Sequence, residues 1–310
     1  MEFFLKIPGF VLTAWIFPSI MISSQEKKGL NCIMKIVIVG LGVIGGSFAI
    51  SLKNAGYSEV YGIDTDPETI RKAKESGMIL DGDAKGEDFL RQADLTIVSL
   101  YPRLVREFLE KNRMNFKKGS LITDATGIKM NFLREIEGLV PDGVDFIPGH
   151  PMAGREKKGI DYASAEVFKN ANYILTPTPE NLPENIEKLK KIILDIGFGH
   201  ICCVTPEEHD ELIGFTSQLP HAMAVALINS DKEGRNTGLF IGDSYRDLTR
   251  IANINEDLWS ELFLGNKENL LMAINNFELE LDLIKKAVFE NDRETLCRFF
   301  RKSSSRREKL

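Results

Sequence analysis

Lys35-Ile36-Val37-Ile38-Val39-Gly40-Leu41-Gly42-Val43-Ile44-Gly45 is the stretch from which the fold is read. Residues 35–39 have the length and β-branched content of a buried strand. The glycines at 40, 42 and 45 spell G-x-G-x-x-G, and an apolar helical pattern follows at Val43, Phe48, Ala49 and Leu52. Gly40 permits a tight turn, Gly42 lets the backbone approach a pyrophosphate, and Gly45 lets helix and strand pack closely. The helix N-terminus turns unpaired N–H groups and the positive end of its dipole toward phosphates. Gly40, Leu41, Gly42, Val43, Ile44 and Gly45 are therefore candidate cofactor-binding residues.

Outward from that loop, a second apolar strand, Val60-Tyr61-Gly62-Ile63, ends in Asp64, nineteen residues after Gly45. A dinucleotide fold places there the carboxylate that holds a ribose 2′-OH. Asp64 repels a 2′-phosphate, and neither Thr65 nor Asp66 offers a cation, so the pattern favours NAD over NADP.

At 310 residues the chain has room for two domains and a well-buried core. A net charge of −6 argues against nonspecific nucleic-acid binding, which needs a basic surface. The four cysteines, Cys32, Cys202, Cys203 and Cys297, have neither metal-ligand spacing nor a disulfide framework, which fits a reducing, cytoplasmic compartment. Residues 1–33 stand apart. Ile7 to Ile22 is an apolar run broken by Pro8 and Pro18, shorter than the roughly 20 residues of a membrane span, and without an A-x-A-like cleavage site. The expectation is that the fold starts at Met34 and that 1–33 is upstream translation or a disordered extension, with an anchor or signal as the alternative.

From 34 to about 205, strand and helix alternate. Further strands are read at 95–99, 120–123, 145–147, 173–176 and 200–204, with helices from Asp66-Pro67 to near Gly77 and from Glu184 to Leu194. Repeated βα units predict an α/β fold: a doubly wound, mostly parallel Rossmann-type sheet with its ligand at the carboxyl ends of the strands. Ser99, Asp124 and His150 lie at such ends. Residues 206–310 read as helical throughout, over 206–229, about 245–264, 266–290 and 292–301, with a polar, frayed tail from Ser303. In the long helix Leu270, Ile274, Phe277, Leu281, Ile284 and Val288 step by 4, 3, 4, 3 and 4, a seam suited equally to a partner helix or to this chain's own core.

Chemistry is sought first among the four histidines. His150, in Gly149-His150-Pro151-Met152-Ala153-Gly154, follows a strand and sits where a titratable ring beside a nicotinamide can remove a proton. His221, in Gln218-Leu219-Pro220-His221, falls on the first turn of a helix restarted by Pro220 and faces a ligand or the packing behind it. His200 and His209 are taken as structural or solvated. Arg246 and Arg250, four apart, share a helical face that suits carboxylates; a solvated charged face with Asp247 as internal partner explains the spacing equally well. No metal cluster, G-x-S-x-G elbow or Walker A sequence is seen, which leaves hydride transfer.

These motifs, taken together, resemble those of the prephenate/arogenate dehydrogenases of tyrosine biosynthesis, from Met34 to about residue 300. The resemblance is carried by Gly40 to Ser47, by His150-Pro151-Met152-Ala153-Gly154 with Glu156 and Gly159, by Leu219-Pro220-His221, by Asp247-Leu248-Thr249-Arg250-Ile251-Ala252 and by Trp259. It implies an NAD(P)-dependent oxidative decarboxylation in which a neutral imidazole matching His150 takes the proton of the substrate hydroxyl. It further implies that the arginine matching Arg250 binds a substrate carboxylate, that His221 and Ser217 line the same pocket, and that a helical second domain (206–310) forms a homodimer. Where the family often has Asp-x-x-Ser-x-Lys, this chain has Asp124-Ala125-Thr126-Gly127-Ile128-Lys129, so either Thr126 replaces the missing serine or that contact is absent. Arg155 adds a cation near the pocket mouth. Asp243 stands where prephenate-specific members tend to be neutral, which points to arogenate activity. Neither a regulatory ACT domain nor a fused mutase is expected, so any tyrosine feedback would have to act at the active site or the dimer interface. The competing readings are a β-hydroxyacid or imino-acid dehydrogenase of similar architecture, which has no need of His150 with Arg250, and a non-catalytic NAD sensor, which has no use for either.

Overall fold

A parallel ladder grows in both directions from β1 (Ile36–Val39). It pairs with β2 (Val60–Ile63) on one side and β4 (Leu95–Val98) on the other. Beyond them lie β3 (Asp81–Asp83), β5 (Leu121–Asp124) and β6 (Asp145–Phe146), giving the order β3-β2-β1-β4-β5-β6, all parallel. The computed structural model describes residues 34–154 and 157–309, which pack as one compact unit. The expectations for residues 1–33 and for Arg155 lie outside the described residues.

Period-two alternation along β1 sends Ile36 and Ile38 into one hydrophobic cluster and Val37 and Val39 into another, so both faces of the sheet are covered. On those faces lie α1 (Val43–Asn54), α2 (Pro67–Glu75), α3 (Glu87–Leu90), α4 (Pro102–Asn112) and α5 (Met130–Ile136). Asp66 caps α2 through the Glu68 and Thr69 N–H groups, as the Asp-Pro opening predicts.

The later strands do not extend this sheet. β7 (Gly149–Met152), β8 (Asn172–Leu175) and β9 (His200–Cys203) form a separate three-stranded sheet, with β7 antiparallel and β9 parallel to β8. His150 therefore lies within an antiparallel strand, opposite Ile174, rather than at the end of a parallel one. Pro151 has no N–H for a ladder and belongs on an edge such as β7. The two strands that the pattern missed, Asp81–Asp83 and Gly149–Met152, are polar or carry Gly and Pro and lack an apolar alternation. α6 (Pro183–Asp195) matches the predicted helix.

After β9 the described chain is helical: α7 (Pro206–Ile213), α8 (Leu219–Asn229), α9 (Asp243–Thr249), α10 (Glu256–Gly265), α11 (Lys267–Phe289) and α12 (Arg293–Arg307). A π-helical segment, Gly214–Gln218, joins α7 to α8. Pro220 cannot donate to the carbonyl four residues back and its ring crowds that carbonyl, so the widened turn absorbs the fault. The expected helix over 245–264 is broken: α9 stops at Thr249, a 3₁₀ turn covers Arg250–Ala252, and α10 restarts under an Asn255 cap. The tail expected to fray from Ser303 is instead helical to Arg307. Asp292 caps that helix and Arg306 and Arg307 meet the negative end of its dipole, so propagation outweighs the missing apolar stripe.

The long seam divides. Leu270 is buried within the chain, whereas Leu281, Ile284 and Val288 are exposed. Among the described residues no helix is long and apolar enough to cross a membrane.

Candidate active site

The register levels the strand ends that carry the loop. Gly40 N–H donates to Ile63 O at 2.8 Å and Ser99 N–H to Val39 O at 2.7 Å, so Gly40, Asp64 and Ser99 sit side by side. Gly40 has φ +84°, and a Cβ there would lie 2.4 Å from Ser99 O. A Cβ on Gly45 would lie 1.8 Å from Gly40 O, while one on Gly42 would meet nothing within 4 Å. Gly42 is the N-cap of α1 and supplies no side-chain cap, so the first N–H groups of α1, those of Val43 and Ile44 among them, have no capping side chain. Open space before bare helix amides is the cradle that a pyrophosphate fits. Asp64 accepts from Leu41 N–H at 2.8 Å and Asp66 N–H at 2.9 Å, which fixes its carboxylate beside the loop.

On the neighbouring strand end, Asp124 and Lys129 form an ion pair at 2.7 Å with both side chains fully enclosed. Lys129 Nζ also reaches Gly149 O at 2.8 Å and Thr126 O at 2.9 Å, and Gly149 N–H donates to Asp124 Oδ1 at 3.0 Å. The pair thus clamps Gly149, the residue before His150, through both its N–H and its C=O. Breaking one partner of such a pair costs about 3–5 kcal/mol, which makes it a rigid mount. Burial pushes the Lys129 ammonium down from its ordinary value, while Asp124 opposes that shift.

His150 does not stand alone. Its Nδ1 lies 2.9 Å from Nε2 of His209, whose Nδ1 lies 2.7 Å from Asp210 Oδ1. Asp210 also accepts from Lys129 N–H and Met130 N–H, both at 2.8 Å, and so caps α5 from across the fold. Enclosure drives the His150 imidazole well below its ordinary pKa, with smaller contributions from His209 and Lys129. Desolvation lowers His209 as well, against an opposing hydrogen bond from Asp210. Of the two readings of His209, structural or solvated, the solvated one is corrected: the ring is fully buried and bonded to His150. The available signal was Thr205-Pro206-Glu207-Glu208, a capping box that fixes the start of α7 and turns the next pair, His-Asp, inward.

Thr126 is turned into the Asp124–Lys129 cluster. Its hydroxyl is buried and bonded to Asp124, and Lys129 Nζ donates to it at 2.9 Å, so replacement of the missing serine by Thr126 is corrected. Gly127 stands beside the imidazole: a Cβ there would lie 3.7 Å from His150 Nε2 and, tightly, 3.2 Å from Leu262. His221 donates from Nδ1 to Ser217 O at 2.8 Å and stacks on Trp259 with ring centroids 3.6 Å apart. Gln218 donates to Leu262 O at 3.0 Å, which ties the π-helical segment to α10. The 3₁₀ turn bearing Arg250 packs against α8, which bears His221. Arg246 and Arg250 do not share one regular helical face, because α9 ends between them, and Arg246 pairs with Asp243 at 3.2 Å rather than with Asp247. Both members of that pair are exposed, Asp243 at 95 %.

A parallel nucleotide-binding sheet, a bare helix N-terminus at its centre and a desolvated imidazole on the edge strand β7, backed by His209 of α7, define a dinucleotide-dependent dehydrogenase. Family models sharpen this: residues 48–202 match the nucleotide-binding domain of prephenate dehydrogenase and residues 205–302 match its dimerization domain. The chain belongs to the prephenate dehydrogenase family. It is 30% identical over 284 residues to the prephenate dehydrogenase of Bacillus subtilis, covering 89% of this chain and 76% of that one. Its fold is similar to the prephenate dehydrogenase of Aquifex aeolicus in complex with hydroxyphenyl propionate and NAD+, with TM-score 0.81 and 32% identity over 89% of this chain and 98% of the other. The arogenate dehydrogenase of Synechocystis is similar at TM-score 0.75 and 28% identity, over 89% and 99% of the two chains.

Proposed function

We propose that this chain catalyses NAD-dependent oxidative decarboxylation of prephenate, arogenate or both, within tyrosine biosynthesis. The observation that carries the reading is the desolvated His150 imidazole, whose Nε2 lies beside the side-chain-free Gly127. Gly40 to Gly45 and Ser99 would hold the dinucleotide, with Asp64 on the ribose; NAD when bound supplies the hydride acceptor. His150, neutral at physiological pH, accepts the hydroxyl proton as the ring carbon beneath it gives up its hydride. The C–O bond becomes a carbonyl, the ring carboxylate leaves as CO2, and the electron pair from the broken C–C bond completes the aromatic ring as the carbonyl becomes a phenol. Arg250 binds a substrate carboxylate, and His221 and Ser217 shape the pocket around it.

Asp64 supports NAD over NADP, since a carboxylate beside the loop repels a 2′-phosphate. Residues 34–205 act as the nucleotide domain and 206–310 as the substrate and dimerisation domain. The exposed apolar residues Leu281, Ile284, Val288 and Phe289 support a homodimer through α11. Free Cys202, Cys203 and Cys297 support a reducing cytoplasmic setting.

The test is an NADH-production assay with each substrate. His150→Asn is expected to lower kcat by roughly 10²-fold or more while leaving the NAD dissociation constant near wild type; a variant that loses NAD binding instead contradicts the role. Asp243, paired with Arg246, is proposed to favour arogenate, whose ammonium it can meet. The ratio of kcat/KM for the two substrates should move toward prephenate in Asp243→Asn, and an unchanged ratio removes Asp243 from the site.

A further inference from the structure

We propose that His209 and Asp210 are a positioning pair that holds the proton of His150 on Nδ1 and so leaves the Nε2 lone pair facing the substrate. The inference rests on the reading of His150 as the base and adds residues to which the family resemblance assigned no role.

The hydrogen-bond chain admits one arrangement of protons. Asp210 faces three partners: the backbone N–H groups of Lys129 and Met130, which can only donate, and Nδ1 of His209. A carboxylate already accepting two N–H bonds takes the third partner as a donor too, so His209 carries its proton on Nδ1. A neutral ring with Nδ1–H has an acceptor at Nε2, and burial keeps His209 neutral. Nδ1 of His150, 2.9 Å away, must then donate to it. The neutral His150 ring is left with an unprotonated Nε2, on the side where a Gly127 side chain would stand. An isolated histidine side chain prefers the opposite tautomer, with its proton on Nε2, so His209 reverses the default.

That reversal matters for the reaction. With the proton on Nε2 the ring would offer a donor to the substrate hydroxyl and could not take its proton. With the proton on Nδ1 the hydroxyl proton passes to Nε2, and the resulting imidazolium keeps its Nδ1–H bond to His209, which Asp210 polarises. No proton needs to travel further along the chain. Asp210 is held by the start of α5 and by Asn266, whose side chain donates to Asp210 O at 2.8 Å, so the relay cannot swing away. The groups facing the two rings are Asp124, Lys129 and Asp210, and Lys129 is locked to Asp124.

The tautomer can be read directly, because only four histidines contribute signals. In protein labelled with 15N-histidine, long-range proton–nitrogen correlation, assigned by the signal lost in His150→Asn, should show His150 protonated at Nδ1. His209→Leu removes the acceptor; it should move the His150 proton to Nε2 and lower kcat by roughly 10²-fold, with NAD affinity unchanged. His209→Gln, whose amide oxygen replaces the Nε2 acceptor, should restore the Nδ1 proton and most of the rate. A wild-type His150 protonated at Nε2 overturns the proposal, as does a His209→Leu protein that keeps both tautomer and rate. Should His209→Leu not fold, the wild-type and His209→Gln spectra decide the matter alone. If the tautomers behave as stated but His150→Asn turns over normally, the base assignment falls and the pairing stands.

Discussion

His150 acquires its chemistry from its neighbours rather than from its own sequence context. Enclosure lowers its pKa and that of His209, so the unfolded chain takes up protons that the folded chain refuses. As the folded values lie below the unfolded value of about 6.5, stability is complete above that pH and is lost as pH falls below it. The loss grows with each pH unit below about 6.5 only until each ring's own folded value is reached. Thermal unfolding at pH 7.5 and 5.5 is expected to show a lower Tm at pH 5.5, and a smaller drop in His150→Asn; equal drops would show that His150 is not the group responsible. The role proposed for His150 was legible because glycine and proline around it left no packing reason for a histidine. The role proposed for His209 was not, since only folding brings a residue fifty-nine positions away within hydrogen-bond reach.

At the scale of elements, the loop between β1 and α1 separates binding from folding. A Cβ on Gly45 collides with the Gly40 carbonyl, which neither backbone can relieve, whereas a Cβ on Gly42 projects into open space. Gly45→Ala is therefore expected to destabilise the fold by about 3 kcal/mol or more in urea unfolding. Gly42→Ala should unfold like wild type yet weaken NAD binding by roughly tenfold, because it fills the place where the pyrophosphate approaches. Titration of each variant with NAD, beside its unfolding curve, checks both, and equal effects on the two measurements would show that the loop has a single task. The strand–loop–helix unit was readable because its residues are contiguous. The break between α9 and α10 and the π-helical segment were not, since both answer to packing against other elements.

For the whole molecule, α11 changes allegiance along its length: Leu270 packs within the chain and Ile284 and Val288 face outward. An even 4-3 spacing cannot report that change, because both halves show the same apolar period. Ile284→Glu with Val288→Glu should leave the Tm of the fold nearly unchanged while shifting sedimentation from dimer to monomer. A dimer that survives both charges would move the interface elsewhere on the helical layer.

Local sequence determined the β1–α1 nucleotide loop, the carboxylate at Asp64, the alternation that makes a parallel sheet and the switch to helices at Pro206. Each of these rests on periodicity, glycine sterics or capping within a few residues. Tertiary structure alone decided the splitting of the later strands into a second sheet, the clamp of Asp124 and Lys129 on Gly149, and the chain from Asp210 through His209 to His150. Those depend on hydrogen bonds between residues far apart in sequence, whose strength comes from the exclusion of water that only the assembled fold provides.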